Sequence, residues 1–182
     1  NLEPCNHYGK TPPCTEAIIN NNIKKVVIGS QDPNKLVSGS GIEKLRSSGC
    51  NVSVGIMDKE CDKLNKRFFT YHKLKRPFII LKWAETKDGF ISPTKSVNTL
   101  KKVNWISGED AKKLSHKWRS EEHSILVGVQ TIIDDDPILT TRFVEGRSPI
   151  RFVLDPNSRI PLDSRILSGT VKTIVLSKKE NK

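Results

Sequence analysis

Long hydrophobic runs are missing from this 182-residue sequence. Its longest apolar stretches are strand-sized, well short of the roughly 18–20 residues that a membrane-crossing helix needs. Cysteine is scarce as well: four residues in a chain of this length make no disulfide scaffold, and a reducing cytoplasm is the expected setting. Aromatic side chains are 6% of the total, and the six Phe sit mostly inside apolar runs. That is not the stripe of exposed aromatics among cations by which nucleic acid is gripped. No secretory signal is visible, since the N-terminus is polar. The chain opens with Asn1 and not with Met, as a processed, excised or incomplete chain would. Internal repeats and low-complexity segments are absent. So is any Gly-x-Gly-x-x-Gly, and Gly39-Ser40-Gly41 is too short to stand in for one.

What is present is charge. Lys and Arg number 31 against 20 Asp and Glu, a formal net charge of +11. Such a surplus fits a nucleic-acid surface, an anionic substrate or a lysine-rich solvated exterior. The cations are spread from Lys10 to Lys182, which favours the solvated exterior. A hydrophobic fraction of 35% is thin but sufficient for a packed core, so wholesale disorder is excluded. The length allows one large domain or two small ones.

Periodicity divides the chain into two α/β units. In the first, residues 15–22 suit a short helix, 25–30 a buried strand, 41–48 a helix, 51–56 a strand and 59–72 a longer amphipathic helix with Leu64, Phe68 and Tyr71 on its core stripe. Strand–helix alternation at this spacing indicates a layered domain with parallel pairing. The polar run Lys73–Arg76 marks a boundary ahead of Pro77. Residues 77–84 then suit a strand, Asp88-Gly89 a turn and 92–103 a polar loop. Ser107 with Asp110 has capping-box spacing for a helix carrying Ala111, Leu114 and Trp118. Strands are expected at 124–129, 150–155 and 173–177, with a short helical turn running into Asp134-Asp135-Asp136-Pro137.

Two thiols carry the chemistry nearest the N-terminus. Cys5 and Cys14 flank the start of the first helix, whose positive end should lower thiol pKa and favour a soft metal. Two thiolates do not close a tetrahedral zinc site, which needs a further protein ligand. Cys50 and Cys61 are isolated and read as buried or incidental. On the residues alone, Asp32-Pro33-Asn34 also reads as a plain turn, Arg119 as a solvated helix charge and Trp105 as a core anchor.

The run Leu2-Glu3-Pro4-Cys5-Asn6-His7-Tyr8-Gly9-Lys10-Thr11-Pro12-Pro13-Cys14 is followed by Asp32-Pro33-Asn34, Gly39-Ser40-Gly41-Ile42, Leu64-Asn65 and Phe68-Phe69. Further on come Arg76-Pro77-Phe78, Leu81-Lys82, Asp88-Gly89, Trp105-Ile106, Leu126-Val127-Gly128-Val129 and Asp135-Asp136-Pro137. In this order the motifs closely resemble those of the bifunctional riboflavin-biosynthesis deaminase–reductase family, over nearly the whole chain. The resemblance implies an α/β chain of two parts. Residues 1–73 would be the C-terminal part of a cytidine-deaminase-like three-layer zinc domain, and 76–182 the N-terminal part of a dihydrofolate-reductase-like domain.

That family deaminates a diaminopyrimidinone ribosyl phosphate with a zinc-bound water, then reduces the ribosyl to a ribityl side chain with NADPH. By resemblance, Cys5 and Cys14 are zinc ligands, and His7, Lys10, Asp32 and Asn34 contact the deaminase substrate. Ala84, Trp105, Thr131 and Asp135 match cofactor-contacting positions, and Arg119, Leu139 and Arg142 reductase-substrate positions. The chemistry agrees: Lys10 can meet phosphate, and a guanidinium fork binds phosphate bidentately. The resemblance further implies a cytoplasmic enzyme with a small phosphorylated pyrimidine as substrate, no nucleic-acid or membrane partner, and homo-oligomerisation left open.

The family's third zinc ligand, a His, and its proton-shuttling Glu lie upstream of Asn1. Its Gly-rich cofactor loop and an acidic substrate residue lie beyond Lys182. The expectation is therefore an internal piece, lacking a catalytic residue of its own and inactive by itself. Two local departures accompany this. Thr86-Lys87-Asp88-Gly89 stands where the family commonly has Ser-Leu-Asp-Gly, and Val103 where it has Ser, in a longer, lysine-rich loop. They motivate the alternative of a degenerate relative. The +11 charge and the Pro-Cys motif motivate another, a nucleic-acid-binding or RNA-deaminase-like basic module.

Overall fold

In the computed structural model, residues 1–92 and 105–178 are described. The chain divides into two compact units, Asn1–Leu81 and Lys82–Lys182. Both are α/β with parallel sheets.

The first unit is organised on two parallel strands, β1 (Lys25–Ile28) and β2 (Asn51–Val54), in register from Lys25↔Asn51 to Ile28↔Val54. Alternation along β1 buries Val26 and Ile28 and leaves Val27 exposed, so the strand is half-buried and not buried on both faces. Helix α1 (Cys14–Asn20) precedes β1, and α2 (Ser40–Ser47) makes the crossover to β2. Val26, Ile28, Ile42, Leu45, Cys50 and Val52 form the core, with Ile18 and Ile19 packed against it.

The single helix expected over 59–72 is two, α3 (Asp58–Leu64) and α4 (Lys66–Leu74), meeting at Asn65. The Asn65 side chain donates to the Cys61 carbonyl at 2.9 Å, a local bond of the kind that competes with helix continuation. The break moves the apolar face: Leu64 and Tyr71 are exposed, and Phe69 is the buried residue of α4.

The second unit holds a three-stranded parallel sheet in the order β3 (Ser124–Gly128), β4 (Ile150–Leu154), β5 (Thr173–Leu176). Helix α5 (Glu109–Glu121) leads into β3, and α6 (Val129–Asp135) follows it directly. Val129 and Ile132 of α6 pack with Leu139, Val153 and Ile166 into the core. The helix α5 starts after Gly108, with no side-chain cap, so the Ser107–Asp110 box does not form. The stretch 77–84 forms no strand and pairs with no described residue; Ile79, Leu81 and Trp83 stand exposed. The polar loop over 92–103, Val103 included, lies outside the described residues beyond Ser92. Among the described residues, no helix is long and apolar enough to cross a membrane.

Candidate functional site

In the first unit the chemistry gathers on the loop before α1 and the loop before α2. Leu2 pairs with Ser30 as an isolated parallel bridge, which lays the Cys5 segment beside the end of β1. Glu3, only 5% exposed, then ties the two loops together. Its Oε2 accepts from the Asp32 and Gly39 amides at 3.2 and 3.0 Å, and its Oε1 from the Gly41 and Ile42 amides at 3.0 and 3.2 Å. A carboxylate among the first amides of α2 is favoured by both hydrogen bonding and the helix dipole. Gly39 adopts a positive φ of 84° at the helix entrance, and a Cβ on Gly41 would strike the Pro4 carbonyl. Glycine is therefore required where the cysteine loop crosses α2.

Cys5 and Cys14 are brought together: the Cys14 amide donates to Cys5 Sγ at 3.3 Å, and the Thr15 amide to the Cys5 carbonyl at 3.2 Å. The expected lowering of thiol pKa is not found at Cys14. A side-chain hydrogen bond with Cys5, and charge repulsion from it, push the Cys14 thiol up instead. The contact with Cys5 favours the protonated form of Cys14 until a cation sits between the two sulfurs. As donors they suit two corners of a tetrahedral Zn²⁺ site. Among the described residues, no group of three His, Cys, Asp or Glu side chains completes it.

Asp32-Pro33-Asn34 does form a turn. Asp32 Oδ1 accepts from the Asn34 amide at 2.7 Å, and Asn34 Oδ1 from the Leu36 amide at 3.2 Å. The turn leaves Asp32 Oδ2 and Asn34 Nδ2 without a partner among the described residues. His7 and Lys10 are exposed on the cysteine loop.

In the second unit, a cavity of about 290 Å³ opens between residues 82–85 and the first turns of α5. Trp83, Ala84, Ile106, Leu114 and Trp118 line it. That volume is at the lower end for ligand clefts. Of the expected cofactor positions, Ala84 is in its wall. Trp105 is exposed, with Lys112 Nζ 3.9 Å from the ring centroid, and is not a core anchor. Thr131 and Asp135 lie one turn apart on α6, on one face.

The positions expected to contact the reductase substrate converge on the segment 139–143. Arg119 Nη1 donates to the Thr140 carbonyl at 2.8 Å, and Arg142 Nη1 to Thr140 Oγ1 at 3.1 Å. Among the described residues neither guanidinium has a carboxylate partner, and the buried Arg119 Nε has no hydrogen-bond partner. Burial and the Arg142 charge lower the Arg119 pKa. Leu139 sits at φ 56° with its side chain in the core, so its main chain is what it can offer a ligand. Sequence reasoning missed Glu3 and His116, the buried residue of α5. Glu3 stood only within a motif string, and nothing in the sequence singled out His116.

The family profile described as "RibD C-terminal domain" matches residues 77–182. The Riboflavin biosynthesis protein RibD of Aquifex aeolicus (strain VF5) is 47% identical over 182 residues, covering 99% of this chain and 50% of that protein. The protein of the same name from Actinobacillus pleuropneumoniae is 42% identical over 166 residues, 91% of this chain and 43% of that one. A solved diaminohydroxyphosphoribosylaminopyrimidine deaminase/5-amino-6-(5-phosphoribosylamino)uracil reductase from Thermotoga maritima superposes with a TM-score of 0.89 at 40% identity, over 99% of this chain and 50% of that one. The chain thus spans about half the length of the curated relatives it matches.

Proposed function

The chain belongs to the RibD C-terminal domain family through residues 77–182, and from that premise we propose that it serves riboflavin biosynthesis as part of a bifunctional deaminase–reductase. The first unit contributes to zinc-dependent hydrolytic deamination of a diaminopyrimidinone ribosyl phosphate. The second contributes to NADPH-dependent reduction of the deaminated product's ribosyl group to ribityl. The observation that carries this reading is the pairing of two unneutralised arginines in a unit of that family.

Zinc, when bound, supplies an activated water, and NADPH a hydride. The protein's own residues do the rest. Cys5 and Cys14 would hold the metal as thiolates, so Cys14 would have to lose the proton that its contact with Cys5 favours. Asp32 and Asn34, fixed by their turn and by Glu3, keep one carboxylate oxygen and one amide group for sugar hydroxyls or ring nitrogens. His7 and Lys10 would meet the pyrimidine and the phosphate from the cysteine loop. In the second unit, the apolar wall around Ala84 suits the cofactor's nicotinamide, with Thr131 and Asp135 offered by α6 and Trp105 at its edge. Arg119 and Arg142 would take the phosphate of the reductase substrate, with the Leu139 main chain beside them.

Calorimetric titration of the chain with 5-amino-6-(5-phosphoribosylamino)uracil tests the assignment. Saturable binding is expected, with Arg142→Ala weakening it about tenfold or more, since a charge-assisted bond to phosphate is lost. Equal affinity for the dephosphorylated compound would contradict it.

A further inference from the structure

Between the two arginines lies a residue that neither site assignment uses. His116 is 5% exposed, and its Nδ1 accepts a hydrogen bond from the Arg142 amide at 3.0 Å. A backbone amide can only donate, so Nδ1 must carry the lone pair, and in the neutral ring the proton is on Nε2. That Nε2 is 3.5 Å from Arg119 Nη1. Both are donors, and an acceptor is what such a pair lacks. Phe143 closes the other side of the ring, edge-on with centroids 4.7 Å apart. The charged groups acting on the imidazole are the guanidinium groups of Arg119, on its own helix, and Arg142, on the 139–143 segment. A proton on Nδ1 would break the Arg142 bond and add a third cation to the cluster.

We propose that His116 is a positioning residue of an anion site: as the Nε2–H tautomer it anchors the Arg142 backbone at Nδ1 and sets the Arg119 and Arg142 guanidinium groups as a pair for a phosphate monoester. This rests on the reading that the two arginines take the substrate phosphate. Thr140 reinforces the arrangement, its carbonyl accepting from one guanidinium and its hydroxyl from the other. Burial together with the two cations holds the ring neutral, with a pKa pushed down to about 4.

The test uses the 182-residue chain with ribose 5-phosphate as probe, read by nuclear magnetic resonance. In the unsubstituted chain, the ¹⁵N shifts of His116 should report a pyridine-like Nδ1 and a pyrrole-like Nε2 at pH 7. The opposite tautomer, or titration near 6.5, overturns the proposal without any variant. His116→Asn keeps an acceptor oxygen where Nδ1 sits, whereas His116→Phe removes it. The Phe variant should bind ribose 5-phosphate about tenfold more weakly and the Asn variant within about threefold of the original, a separation that a purely structural role would not produce. If the two variants bind alike, the acceptor role is wrong. Arg142→Ala separates the layers: unchanged affinity there removes the underlying phosphate reading. Loss there with no loss in His116→Phe overturns the positioning role alone.

Discussion

The Glu3 carboxylate accepts four backbone N–H groups at 3.0–3.2 Å while almost wholly buried. Hydrogen bonds to an ionised acceptor are worth about 1.5–3 kcal/mol each, and an amide cannot replace it, because its NH₂ would face donors. Glu3→Gln should therefore lower the stability of the first unit by about 2–3 kcal/mol, read from the urea midpoint at constant slope. It should also loosen the Cys5 loop, which crosses α2 at Gly41. A drop below half a kcal/mol would mean that the carboxylate is not the tie between the two loops. Some of this was legible: Cys5 and Cys14, singled out in the sequence, do meet. The role of Glu3 was not, because its partners, Asp32 to Ile42, are amides of another loop, and amides leave no mark in a sequence. The Cys14 shift was misjudged for a related reason. The side-chain hydrogen bond with Cys5, and repulsion from it, raise that thiol, a contact that the start of a helix does not reveal.

At the level of elements, strands at 25–28, 51–54, 124–128, 150–154 and 173–176 fall inside the stretches read from apolar runs. Helix faces fared worse. Leu64 and Tyr71, expected on a core stripe, are exposed, and in α5 Leu114 and Trp118 are over 40% exposed and face an open cavity, while His116 is buried. An imidazole is buried there because the Arg142 amide needs its acceptor, a tertiary requirement with no local signature. The stretch 77–84 has the composition of a strand, but strands need partners and none of the described residues pairs with it. Placing a neutral histidine in α5 makes stability depend on pH. The ordinary His value is near 6.5 and the folded value is about 4, so the unfolded chain takes up the proton first. The second unit should hold constant stability from this group above pH 6.5 and lose it as pH falls toward 4. Urea midpoints at pH 7.5 and 5, compared between the chain and His116→Asn, check this. The variant should show the smaller fall, and an equal fall in both would contradict it.

For the whole molecule, two α/β units carry two different collections of side chains. One offers thiols, a buried carboxylate and an Asp–Asn turn. The other offers an apolar cavity and a pair of arginines. Under the proposed function, a few of the cations behind the formal charge of +11, Lys10, Arg119 and Arg142 among them, would meet substrate phosphate or ring. Arg151 is a different case, buried at 1% exposure, its terminal nitrogens donating to the carbonyls of Ile138, Ser168 and Val171 while its Nε has no partner among the described residues. The alternative of a basic nucleic-acid module would use the surface cations together, and its affinity would fall steeply with salt. The measurement that bears most directly on the enzyme reading is titration of the chain with NADPH, followed by tryptophan fluorescence, since Trp83 and Trp118 line the cavity beside Ala84. Saturable quenching is expected, persisting at high salt and weakened when Ala84 is replaced by a bulky residue. No quenching, or quenching that a single-stranded RNA reproduces and salt abolishes, would contradict it.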